Sequence, residues 1–143
     1  MQTFLPWPDF RRSADSLDTK RLGKQRIEAW TIYRALIQPM RGWSNHPITK
    51  MWCGYEAALL VYGLTVCDSW LSRGYRDTMR LRFEGELGNY NPDEVKYPYW
   101  FGQEDFHLAH RSNLIRKFPE YYRPQFGDIP DDLPYIWYNS KVL

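Results

Sequence analysis

Leu17-Asp18-Thr19-Lys20-Arg21-Leu22-Gly23-Lys24-Gln25-Arg26-Ile27-Glu28-Ala29-Trp30-Thr31-Ile32-Tyr33-Arg34-Ala35-Leu36-Ile37 is the stretch that decides the fold class. Leu17, Ile27, Trp30, Tyr33 and Ile37 recur at roughly helical spacing, which predicts an amphipathic helix. Ser13 or Ser16 offers the N-cap, Asp15 and Asp18 complement the dipole in the first turn, and Pro39 sets the stop. The opposite face is basic. Residues 11 to 26 carry Arg11, Arg12, Lys20, Arg21, Lys24 and Arg26 against Asp15 and Asp18, an excess of +4 inside a chain whose net charge is only +2. Such a face is either a phosphate-binding surface or a solvated one.

Outward from this helix, Pro6 and Pro8 make the first dozen residues extended, with Trp7 and Phe10 as anchors. After the loop Pro39–Pro47, a second helix is expected from about Pro47 to Arg73, ended by Gly74. Met51, Tyr55, Ala58, Leu59, Tyr62, Val66, Trp70 and Leu71 mark its buried face, and Gly54 and Gly63 suit close helix approach. Residues 75 to 86 can carry a short helix, and a third long helix runs from near Asp105 to just before Pro119. Pro124, Pro130 and Pro134 make the stretch from Tyr121 to Leu143 an irregular tail. The expectation is an all-α, compact single domain over residues 1–143, with three main helices.

Composition narrows the function classes. The 143 residues suffice for one core without metal or disulfide support. Cys53 and Cys67, on one predicted helix, lie roughly 21 Å apart along its axis and cannot bond to each other. Neither has a metal-ligand neighbour, so no metal and no cofactor is expected. No signal peptide or membrane-length apolar run is visible, which points to a cytoplasmic protein with no membrane partner. Aromatic residues reach 17%, either an aromatic-rich core or, beside Arg and Lys, stacking surfaces for bases.

Four constellations can carry chemistry. Arg21, Lys24 and Arg26 on the basic face, with Lys20, are candidate phosphate contacts. His110, Arg111 and Asn113, with Lys117 at the helix end, form a polar cluster suited to phosphates or base edges, or else polar core. Tyr121 or Tyr122, beside Arg123, is a candidate stacking platform or a packed tail. His46 before Pro47 is a candidate acid, base or phosphate donor, or a structural loop residue.

These segments resemble the pyrimidine-dimer DNA glycosylase, or endonuclease V, family. The likeness runs through Ala14-Asp15-x-Leu17, Arg21-Leu22 and Arg26, then Trp70-Leu71-Ser72-Arg73-Gly74-Tyr75. It is most specific in His110-Arg111-Ser112-x-Leu114 and Pro119-Glu120-Tyr121-Tyr122-Arg123. Arg21-Leu22-Gly23-Lys24-Gln25-Arg26 and Asn45-His46-Pro47 look like a short branch found in bacteria and their phages. The resemblance implies an all-helical domain that binds damaged DNA, flips out a nucleotide and attacks the sugar C1′ with its N-terminal α-amine, assisted by a glutamate of the first helix. On this chain the amine would be that of Met1. The chain departs from the family in two ways. Gln2 replaces a small second residue, and the expected glutamate position reads Arg21, Leu22 or Gly23, which leaves Glu28 as the nearest carboxylate further along the helix, about a turn and a half on. Two functions follow: a DNA-binding protein that recognises and excises a damaged or modified base, or a non-catalytic binder. The binder would hold nucleic acid or sequester a small signalling nucleotide, as a phage anti-defence protein would.

Overall fold

The computed structural model describes residues 1–38 and 44–139. The predicted loop between the first two long helices therefore lies partly outside the described residues, as does the end of the tail. The described chain is all-helical: α1 (Phe10–Ser16), α2 (Thr19–Ile37), α3 (Pro47–Trp52), α4 (Glu56–Ser72), α5 (Arg80–Leu87), a 3₁₀ turn at Pro92–Glu94, α6 (Glu104–Lys117) and α7 (Pro119–Phe126). The three long helices foreseen are present as α2, α4 and α6.

Two of the predicted helices are broken by capping chemistry. Asp9 accepts from the Arg12 N–H at 2.7 Å and starts α1 earlier than Ser13. Asp18 then caps α2 through the Arg21 N–H, so Leu17 is extended (ψ 144°) and the helix restarts. The second helix stops at Cys53, because Gly54 takes φ +87°, and resumes at Glu56. Gly54 is therefore a terminator and not a packing glycine. Cys53 ends α3 exposed while Cys67 is buried in α4, so the two do not share a helix. The tail also differs. Pro119 occupies the first turn of α7, where its missing N–H is no loss, and Pro124 sits inside that helix.

α2 packs on α4, which also contacts α1 and α5, and α6 packs on α7. The aromatic wealth is largely core: Trp52, Trp100, Tyr33, Tyr62, Tyr122, Phe83 and Phe106 are fully buried. Gly63 does serve close approach, since an added Cβ would lie 2.2 Å from the Phe83 ring. Ile27 and Ile37, counted as apolar stripe, are exposed (55% and 44%) because the face of α2 toward α4 is carried by Leu22, Ala29, Ile32 and Tyr33. Among the described residues no helix is long and apolar enough to cross a membrane.

Candidate functional site

Residues 2–6 are buried and lie outside any helix, with a bend at Pro6, and the described residues contain no strand to pair with them. Their backbone groups need partners nonetheless. Side chains from three helices supply them. Gln25 of α2 donates to the Gln2 carbonyl (2.8 Å) and accepts from the Phe4 N–H (2.9 Å). Tyr62 of α4 donates to the Phe4 carbonyl (2.9 Å). Nδ1 of His110 accepts from the Leu5 N–H (3.0 Å), His107 bonds the Leu5 carbonyl (2.7 Å), and Arg111 donates to the Pro6 carbonyl (2.7 Å).

This scaffold delivers the head of the chain to a cleft of about 340 Å³ between α2 and the ends of α6 and the tail. Met1, Gln2, Phe4, Lys20, Arg21, Lys24, Gln25, Glu28, Lys117 and Tyr135 line it. Glu28, itself 8% exposed, is the one carboxylate in that lining. Its Oε2 lies 3.0 Å from Gln25 Nε2 and 3.5 Å from the Gln2 N–H, while Oε1 lies 3.6 Å from Lys24 Nζ. Met1 lies in this lining, and Lys20, Arg21, Lys24 and Lys117 make its rim strongly cationic around one acid. His46 caps α3 by accepting the Ile48 N–H (3.1 Å). Burial first, and then the N-terminal charge, hold its imidazole below the ordinary histidine value, with Glu28 pulling the other way. It thus sits within electrostatic reach of both Met1 and Glu28. Tyr135 closes the tail side, its phenol pushed up to about 12 chiefly by burial.

The expected site residues divide into two groups. Met1, Glu28, Arg21, Lys24 and Lys117 meet in the cleft, with His46 nearby. The others do not join it. Arg26 pairs with Asp77 at 2.6 Å, with its guanidinium over the Trp70 ring. His110, Arg111 and Asn113 are turned inward, at most 6% exposed, and cannot read base edges from there. α6 works as a buried polar rail. His107, His110 and Arg111 hold the N-terminal segment, while Asn113 and Ser112 hold the tail at the Leu133 carbonyl (2.9 Å) and N–H (3.1 Å). Tyr122 is fully buried, its hydroxyl accepting the Asp18 N–H at 2.9 Å and donating to the Asp18 carboxylate, so it offers no stacking face. Tyr121 is part-exposed and stacks on Phe118, away from the cleft. Burial holds His110 neutral, its pKa lowered to about 3.

Gln25 and Tyr135 are cleft residues to which sequence reasoning gave no site role of their own, whereas Lys20 belongs to the basic face already read as a phosphate-binding surface. Gln25 carried one usable signal: it lies three residues before Glu28, on the same helix face. Among the described residues no three His, Cys, Asp or Glu side chains come together to hold a metal.

No curated protein and no solved structure matches the chain. A family model does, over a stretch that includes Met1, Gln2, Arg21, Lys24, Gln25 and Glu28 but neither Lys117 nor Tyr135. It is that of pyrimidine dimer DNA glycosylase, it covers residues 1–83, more than half of the chain, and the chain belongs to that family.

Proposed function

We propose that the protein binds DNA carrying a damaged or modified base and excises that base through its N-terminal amine. One observation carries this reading: Met1 and Glu28 line the same cationic cleft. The cations of the rim suit phosphates on either side of an extruded nucleotide. The amine nitrogen bonds to C1′ as the bond from C1′ to the base breaks, and the base leaves with that electron pair and takes up a proton. The carboxylate of Glu28 accepts the proton the amine gives up and stabilises the cationic imine left after the sugar ring opens. Loss of a proton from C2′ then expels the 3′ phosphate and cuts the strand.

The test is strand cleavage of end-labelled duplexes holding single defined lesions, including a pyrimidine dimer and an abasic site. Lesion-dependent cleavage is expected. Intact strands across the panel, with a melting temperature raised by free nucleotides instead, contradict excision and favour a nucleotide binder.

A further inference from the structure

Alternation along the N-terminal segment decides which side chains meet the cleft. Gln2 and Phe4 line it, while Thr3 and Leu5 point inward. Thr3 accepts from Trp52 Nε1 at 3.1 Å. Successive side chains of an extended segment face opposite ways, so a slip of one residue would bring Thr3 and Leu5 to the cleft and carry Met1 about 3.3 Å along. A sheet would set that register through a neighbouring strand. Here Leu5 is gripped at both its polar groups by α6: His110 takes the N–H and His107 the carbonyl. His107 also accepts the Gly102 N–H at Nε2, so its Nδ1 is the donor to Leu5.

We propose that His110 is a positioning residue for the chain-terminal amine, because its acceptance of the Leu5 N–H, together with the bonds from Gln25 and His107, sets the register that keeps Met1 in the cleft with Glu28. The inference rests on Met1 being the nucleophile of the proposed reaction. His110 is not itself in the cleft lining; its ring packs edge-on against Phe4 and Tyr135, which are, and its Nδ1 accepts the Leu5 amide. Asparagine can replace that function, since its Oδ1 stands about where Nδ1 stands, whereas phenylalanine keeps the ring and loses the acceptor.

The probe is pyridoxal 5′-phosphate, an aldehyde whose phosphate suits the cationic rim, used with cyanoborohydride and read by peptide mapping. In the unsubstituted protein Met1 is expected to label faster than the exposed Lys50 and Lys96. His110→Phe should lower the Met1 rate roughly tenfold or more while the two lysines keep theirs. His110→Asn should restore it. A purely structural histidine would lower the melting temperature and leave the ratio of Met1 to Lys96 labelling unchanged, and that result overturns the proposal. So does labelling of Met1 no faster than Lys96 in the unsubstituted protein. Should His110→Phe fail to fold, hydrogen exchange of the unsubstituted protein decides: the Leu5 amide should exchange among the slowest, and exchange as fast as an exposed amide overturns the proposal. Failure to cut any lesion-bearing duplex, with the labelling pattern as expected, overturns the glycosylase reading alone.

Discussion

Glu28 is nearly fully buried, yet it lines the same cleft as Met1. Glu28→Gln keeps the oxygen that Gln25 Nε2 donates to and removes the charge and the proton acceptor. Single-turnover excision should fall by about 10²–10⁴-fold while duplex affinity, measured by fluorescence anisotropy, stays within a few-fold. An unchanged rate would remove Glu28 from the chemistry. His110 makes a separate prediction about pH. Its value is about 3 in the fold, against an ordinary histidine value near 6.5 in the unfolded chain. The unfolded state therefore binds the proton more readily, so the stabilisation is complete above about pH 6.5 and is lost as pH falls toward about 3, at up to roughly 1.4 kcal/mol per pH unit. Urea titrations at several pH values should show that decline, and His110→Asn should flatten it. Individual residues were the least legible scale in the sequence. Glu28 was singled out as the nearest carboxylate, but His110, Arg111 and Asn113 look the same in sequence whether they face a ligand or a buried backbone.

The helices themselves were legible, because period and proline stops are local properties. Their interruptions were not. Asp18 and Gly54 each suit more than one role, and only packing selects the cap at Asp18 and the left-handed turn at Gly54. α6 begins within a residue of the expected start, yet its sequence leaves open whether its polar residues face a ligand or the core, since a segment with no strand partner leaves no mark in its own sequence. Gly63 shows a reading that packing did uphold. Gly63→Ala would drive a methyl into the Phe83 ring between α4 and α5, and should cost about 1–3 kcal/mol in urea unfolding. A cost near zero would mean that α5 shifts freely.

At the scale of the molecule, both ends of the described chain converge on one helix. α6 holds the N-terminal segment at Leu5 and Pro6 and the tail at Leu133, so Met1 and Tyr135 reach the same cleft from opposite ends of the sequence. That convergence could not be read from spacing, because the contacts that bring the N-terminal segment to α6 join residues 105 apart in sequence. The charge of the rim makes affinity salt-dependent. Lys117→Ala should reduce the slope of log affinity against log salt by about 1 and leave lesion preference unchanged. Residues added before Met1 convert the amine to an amide, so a fusion there should bind DNA and cut nothing. The most direct test is borohydride trapping on a duplex with a single abasic site, followed by peptide mapping of the protein–DNA adduct. A reduced adduct on the Met1 α-amine is the expected result, and an adduct on Lys24 or another lysine, or none at all, would contradict it.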